Sequence, residues 1–476
     1  MGVSVAASGG LRRVLPFRTV VSTSTGLAYA AISLVSCIQL AAYTSGDSAW
    51  IALLVAGLLA LLAALCFSEL NAVYPSAAAI RQYISAAFNE RASLTISFGY
   101  VLTIVAVLAA DSYVVALAIS YVFPDTPALL WIFVILGLAA VANLLGIKIA
   151  GLLQDVTTYT LVVSLAAISL IALFKGGFQL HSPLSVGPVD KFLNAVAVGV
   201  FIYSAFEWVT PLAEELNDSR QIPRGMLLAI GILFVSYSLF TLASTSLIGI
   251  GNLCQHIGAD NQSCSAIPQM LLGRATLGDV GVYWMLGATL LTGVMTFNGG
   301  FATASRFIYA AAREATLPQI FARLNSRLVP WVTVFILAGS AAGVAVIVYE
   351  TQGAPILILV GAVLEAFIYA VSGLCVIQLR RRQPKVERSF LIPLGWVVPI
   401  LAIVIFGVLG LLAGVAQTPL PLVITIVLFF VSYLYVRTVV PKLKANAEAR
   451  RQALGSRRPR RPDAGTEVAT EGESPS

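Results

Sequence analysis

Three carboxylates stand where the chain offers them little water. Asp111 lies within Val107-Leu108-Ala109-Ala110-Asp111-Ser112-Tyr113-Val114-Val115, Glu207 follows Phe201-Ile202-Tyr203-Ser204-Ala205-Phe206, and Glu365 sits in Gly361-Ala362-Val363-Leu364-Glu365-Ala366-Phe367. An ionised carboxylate in an apolar segment is costly unless it is paired, wet or neutralised, so each is a candidate proton carrier or a binder of a cationic group. The structural alternative for each is a protonated acid hydrogen-bonded to a neighbouring helix. Both histidines, His181 and His256, fall in predicted outer loops and offer no intramembrane relay. No His-Glu-x-x-His spacing or His and Cys cluster indicates a metal site. No nucleophile, base and orienter can be placed together, so the chain reads as neither an enzyme nor a cofactor carrier.

The elements that must hold these acids are membrane helices. Of 476 residues, 58% are hydrophobic and only 11% are charged, and the mean hydropathy is +0.90, which excludes a soluble globular protein. A helix needs about 20 apolar residues to cross the hydrocarbon core. Such runs recur at residues 20–44, 49–70, 94–122, 129–145, 155–174, 192–214, 226–247, 282–306, 329–348, 355–378, 391–415 and 420–436. The expected fold is therefore an all-α polytopic membrane protein of about twelve transmembrane helices. Alternating segments of about ten residues, the mark of a transmembrane barrel, are not seen.

Basic residues orient the expected bundle, because Lys and Arg of short loops stay on the cytoplasmic side. With both termini inside, only Lys175, Lys191 and Arg274 of the 29 Lys and Arg lie outside. The net charge of +7 thus reports topology and contact with anionic lipid rather than nucleic acid. The expected organisation is a cytoplasmic segment over residues 1–19, a membrane domain over 20–436, and a basic, largely disordered cytoplasmic tail over 437–476. Arg12, Arg13 and Arg18 precede a full-length span, so helix 1 itself is the expected insertion signal of a multi-pass protein of the plasma or bacterial inner membrane. Cys37, Cys66 and Cys375 fall in spans as packing residues. Cys254 and Cys264 share the longest outer loop, where an oxidising compartment permits a disulfide.

Three motifs then carry a resemblance. After helix 2 the chain reads Phe67-Ser68-Glu69-Leu70-Asn71-Ala72-Val73-Tyr74-Pro75. Helix 6 is aromatic-rich and is followed by Pro211, Glu214-Glu215 and Asn217-Asp218-Ser219-Arg220-Gln221-Ile222-Pro223-Arg224. Helix 8 ends in Ser305-Arg306-Phe307-Ile308-Tyr309-Ala310-Ala311-Ala312-Arg313-Glu314-Ala315-Thr316-Leu317-Pro318. In this order the motifs resemble those of the amino acid, polyamine and organocation superfamily over roughly residues 20–436. The resemblance implies a leucine-transporter type of fold: two inverted repeats of five helices, helices 1 and 6 unwound at a central site, and two additional C-terminal helices.

The resemblance also implies site residues. On helix 6, Phe201 matches an aromatic that covers substrate, Glu207 matches a glutamate linked to substrate recognition or proton response, and Ser204 and Trp208 join them. Helix 1 of relatives has a glycine-rich stretch that exposes backbone N–H groups to a substrate carboxylate. Here only Gly26 remains, while Ala30 and Ala31 permit close approach and Thr25 and Ser33 offer hydroxyls. Relatives that handle amino acids often carry a lysine on helix 5 where this chain has Leu161. That leaves an acid, Asp111, Glu207 or Glu365, to carry the proton, or a cation such as sodium between helices 1 and 8 held by Thr303 and Ser305.

The leading expectation is a secondary active transporter that moves an amino acid or organic amine by alternating access, as a proton-coupled permease or an exchanger. The midplane acids tilt the cargo toward an amine-bearing substrate, with polyamines or basic amino acids the best fit and a polyamine or cationic amine transporter the specific alternative, although neutral amino acids also carry an ammonium group. Two readings of other classes are a cation channel lined by the same acids and a membrane sensor that retains the fold without transport.

Overall fold

The computed structural model describes residues 14–44, 48–76, 78–145, 147–177, 187–257, 261–415 and 418–455. Long apolar runs become helices because a backbone without water can satisfy its N–H and C=O groups only along its own axis. The first span is divided: α1 (Phe17–Ala28) and α2 (Ala31–Tyr43) meet at a 55° bend. It is followed by α3 (Ala49–Val73), a short α4 (Ile80–Ala87), α5 (Glu90–Val122), α6 (Ala128–Leu144) and α7 (Ile147–Gly176). A second set opens with α8 (Val189–Tyr203), which runs into a 3-10 segment at Phe206–Leu212, and continues through α9 (Ile222–Leu247) and α10 (Ile250–Leu253). An antiparallel hairpin of β1 (Cys254–Ile257) and β2 (Asn261–Cys264) leads to α11 (Pro268–Leu277), α12 (Asp279–Arg313), α13 (Trp331–Thr351) and α14 (Ala354–Arg382). Last come α15 (Val397–Val415), α16 (Leu420–Thr438) and α17 (Val440–Gly455).

Among the described residues, ten helical stretches are long and apolar enough to cross a membrane, and the bent α1 and α2 pair makes an eleventh. At 17 residues, α6 is the remaining apolar segment. Each expected span coincides with one of these segments. Absent from the expectations are α4 and α11, which are too short to register as spans. Their placement has an architectural reason: each follows the second span of its set of five, and each set opens with an interrupted span. Because five is odd, the second set enters from the opposite face, so α4 and α11 lie at opposite faces, as inverted repeats require.

Close packing depends on small residues. Gly373 lets α14 approach α15, where an added Cβ would stand 2.7 Å from the Pro399 carbonyl oxygen. At Gly26, an added Cβ would collide with Gln154 and Thr158 of α7. One face of the bundle gathers cations: Arg81, Arg306, Arg313, Arg380 and Arg388 lie at the ends of α3 to α5, α12 and α14, beside the start of α1. On this basic face Tyr74 donates to Gln383 at 2.8 Å and Arg382 to the Phe88 carbonyl at 3.1 Å. The tail expected to be largely disordered begins with the helix α17, and residues 456–476 lie outside the described residues, as does His181. Cys254 and Cys264 pair across the hairpin and are joined by a disulfide. Cys37, Cys66 and Cys375 are buried free thiols.

Candidate functional site

The site is built from two interruptions. In the first, Tyr29 (φ −84°, ψ 44°) and Ala30 (φ −71°, ψ 151°) leave helical geometry between α1 and α2. This strands a carbonyl at the end of α1 and amides at the start of α2, all buried, and each would be costly if left unpaired. Side chains satisfy them. The Ala28 carbonyl accepts from Ser33 Oγ at 3.0 Å and from the Tyr237 hydroxyl at 2.6 Å. The Ile32 N–H donates to Asp111 Oδ1 at 3.2 Å, with the Ala31 N–H and the Thr296 hydroxyl nearby. Asp111 is fully buried, and its Oδ2 makes no hydrogen bond among the described residues. Its place on α5 is thus at the positive end of the α2 dipole, which favours a carboxylate.

The second interruption follows Tyr203. Ser204 is extended (φ −61°, ψ 164°) and Ala205 is left-handed (φ 75°), a conformation that costs a residue with a Cβ roughly 1–2 kcal/mol. The chain resumes as the 3-10 segment, tightened by the Trp208 N–H donating to the Ala205 carbonyl at 3.1 Å, with Pro211 inside it. Glu207 is in the first turn of that segment, and α14 brings Glu365 and Tyr369, four residues apart on one helix face, against it. Tyr369 donates to Glu207 Oε2 at 3.0 Å. Glu365 is beside Glu207, Tyr369 and the Ala205 N–H, yet neither of its oxygens, nor Glu207 Oε1, meets full hydrogen-bond geometry. Both carboxyls are fully buried, and no ion pair among the described residues reaches either.

An aromatic chain joins the two interruptions. Tyr29 stacks on Tyr237 with centroids 5.1 Å apart, Tyr203 meets Tyr237 edge-on at 6.1 Å, and Tyr100 meets Trp208 edge-on at 6.4 Å. Such edge-on and offset contacts are favourable geometries for rings and fix their orientation.

The remaining sequence candidates are placed as follows. Thr25 is buried beside the first interruption, and its hydroxyl makes no hydrogen bond among the described residues. Gly26 faces α7 through Gln154 and Thr158, and the Ser33 hydroxyl is engaged with Ala28. Phe201 packs on Gly361 of α14, and Ser204 Oγ donates to the Phe201 carbonyl at 2.7 Å. Trp208 is buried, and its indole N–H has no hydrogen-bond partner among the described residues. Thr303 donates to the Trp208 carbonyl at 2.9 Å, whereas Ser305 donates to Ala302 on its own helix at 3.2 Å, so the two hydroxyls serve different partners. Sequence reading did not single out Tyr369 or Tyr237. Tyr369 had a signal, four residues after Glu365 on the same helix, while nothing local marks Tyr237.

At the basic face, ion pairs brace the bundle, and the one at Glu69 ties the two sets of helices together. Arg306 Nε pairs with Glu215 Oε2 at 3.0 Å, and the Glu215 carbonyl accepts from the N–H groups of Val14 and Leu15 at 2.9 and 3.1 Å. Glu69 receives Arg380 at 2.5 Å, Arg388 at 3.3 Å and the Ile392 N–H at 3.1 Å. Asp155 receives Arg18, Thr19 and Ser22. Glu69, Glu215 and Arg306 fall within the three sequence motifs, whereas Asp155, Arg380 and Arg388 lie outside them. A cavity of about 910 Å³ opens here, lined by Asn71, Pro75, Leu216, Asp218, Arg220 and Arg388.

Two interrupted spans in inverted sets, with buried acids at both interruptions, define a multi-pass membrane protein of the leucine-transporter type of fold. The chain belongs to the amino acid permease family, whose model matches residues 20–451. An uncharacterized transporter of Mycobacterium tuberculosis is 27% identical over 297 residues, 60% of this chain and 63% of that protein. The chain thus spans less than two thirds of the length of the first curated relatives it matches. The methylthioribose transporter of Bacillus subtilis is 26% identical over 383 residues, 76% of this chain and 80% of that one. Among solved structures, the manganese transporter of Eremococcus coleocola is 15% identical with a TM-score of 0.58, covering 93% of this chain and 100% of that chain, a likeness of fold.

Proposed function

We propose that this protein is a secondary active transporter that carries a small amine-bearing solute by alternating access, exchanging it against a proton held by the Glu207 and Glu365 pair. The observation that carries the reading is that pair: two fully buried carboxyls side by side, with no cation among their described partners. Two anions in a dehydrated site repel each other strongly, so the pair calls for one positive charge at a time. A proton supplies it when the site is empty of cargo, and a substrate ammonium supplies it when cargo is bound. Mutually exclusive occupancy is the physical basis of exchange. The interruption beside Glu207 gives this site backbone groups that can reorganise as the two repeats rock.

In this reading the membrane domain comprises residues 20–436, and the basic face is cytoplasmic with both termini inside, as retention of Lys and Arg favours. The ion pairs of Glu215 with Arg306 and of Glu69 with Arg380 then brace the inner side. A second reading, transport of an uncharged polar solute, is favoured by the name of the Bacillus subtilis relative.

The test is uptake in proteoliposomes of labelled amines, amino acids and methylthioribose, with the proton gradient imposed in either direction. Saturable amine uptake driven by internal protons and stimulated by internal amine supports exchange. Amine flux that neither saturates nor shows counterflow points to a channel. Methylthioribose uptake without amine uptake overturns the amine reading, and binding without flux overturns transport in favour of a sensor.

A further inference from the structure

The α2 N-terminus is a site for an anion by its geometry. It opens a helix of 13 residues, its first amides are freed by the interruption, and it lies in the buried interior. Free amides and the helix dipole at such an end attract a carboxylate or phosphate, and a broken span commonly uses them to hold an anionic group of the cargo. Here the place is taken by the protein itself: Asp111 Oδ1 accepts from the Ile32 N–H at 3.2 Å, and the Ala31 N–H is beside the same carboxyl. The other interruption repeats the pattern, with the Glu365 carboxyl beside the Ala205 N–H. At both breaks a carboxyl of the protein itself stands beside a freed amide.

We infer that Asp111 is a specificity-determining residue: it fills the anion position of the first interruption and so excludes cargo bearing a carboxylate, selecting amines over the corresponding amino acids. The inference rests on the transport reading above and narrows its substrate class. A second feature supports it. Asp111 Oδ2 is buried and meets full hydrogen-bond geometry with no partner among the described residues, which leaves an acceptor suited to a cationic donor and hostile to an anion. A cargo carboxylate brought to the α2 amides would have to displace Asp111 or sit against it, and like charges in a site of low dielectric repel strongly. Ammonium groups meet no such barrier, either here or at Glu207 and Glu365.

The experiment uses the full chain in proteoliposomes and two matched pairs of labelled probes, putrescine with ornithine and cadaverine with lysine. Members of a pair differ only in the α-carboxylate. Wild-type protein is expected to favour the diamine by about ten-fold or more in uptake at limiting concentration, since discrimination by like-charge repulsion is worth at least that much. Asp111→Asn keeps the size and an acceptor for the Ile32 N–H while removing the charge, and is expected to bring the ratio within about two-fold of unity, chiefly by raising amino acid uptake. Asp111→Ser, which vacates more of the position, is expected to shift the ratio in the same direction and shows that the effect does not depend on the amide. Glu207→Gln is expected to weaken both members of each pair alike. Equal uptake of diamine and amino acid by the wild type, or equal losses for both members in the Asp111 variants, overturns the assignment while leaving transport standing. Absence of flux for all four probes in wild-type protein overturns the transport reading and the assignment together.

Discussion

The two interruptions break a helix in similar ways and resolve the break differently. At Tyr29 and Ala30 the stranded carbonyl of Ala28 receives two hydroxyls, and an N–H of α2 receives a carboxylate. The backbone there stays in ordinary φ regions. At Ser204 and Ala205 the chain takes a left-handed residue, and among the described residues the adjoining carboxyls share a single well-formed hydrogen bond, from Tyr369. Satisfied polar groups in a dry interior rigidify a structure, whereas unsatisfied ones hold free energy that a ligand can release. In the proposed reading the satisfied backbone groups make the first interruption the fixed hinge, although Asp111 Oδ2 and the Thr25 hydroxyl have no hydrogen-bond partner there among the described residues, and the carboxyl pair makes the second the responsive one.

The largest expected effect is on the responsive side. Glu207→Gln and Glu365→Gln should each lower amine uptake by about 10–100-fold, the loss expected when a hydrogen bond to a charged group worth 1.5–3 kcal/mol is removed. Combining them should cost little more than either alone, because both remove one shared cation position, and strict additivity in the double variant would show that the carboxyls act independently. Full uptake by both single variants would erase the distinction between the interruptions.

A smaller effect is expected at Tyr369→Phe, which removes the hydroxyl donated to Glu207 and should reduce uptake about five-fold, the equivalent of about 1 kcal/mol. The same edit on the other side, Tyr237→Phe, removes one of two donors to the Ala28 carbonyl. It should lower the melting temperature by about 2 °C and leave uptake within about two-fold of wild type, since a second donor remains and such bonds in membranes contribute about 1 kcal/mol or less. If Tyr237→Phe were to abolish uptake at unchanged stability, the hinge would be chemically active and the comparison would fail.

The smallest expected effect is Ala205→Gly. Glycine adopts the left-handed conformation without the Cβ clash, and the part of the roughly 1–2 kcal/mol not offset by glycine's greater unfolded freedom should raise the melting temperature by about 1–2 °C. A lower uptake rate in this more stable variant would show that the strain at Ala205 drives rearrangement.

Much of the fold was legible along the chain. Each apolar run became helical, two of them with an interruption, and the acids at 111, 207 and 365 stood out because apolar neighbours make a carboxylate conspicuous. The site was legible only in part. Ser33, Ser204 and Ser305 read as candidate ligands from their hydroxyls, but each hydroxyl donates to a nearby backbone carbonyl, and composition does not reveal that choice. Tyr237 carried no signal at all.

Hydropathy, run length and the distribution of Lys and Arg are local properties, and they determined by themselves that the chain spans a membrane many times with most of its cations expected at one face. Tertiary structure alone decided which polar groups meet. Tyr369 reaches Glu207 across 162 residues of sequence, Tyr237 reaches Ala28 across 209, and Asp111 reaches the α2 amides across 79. Those pairings follow from how helices pack, and in a medium without water each one is fixed by the cost of leaving a buried polar group without a partner.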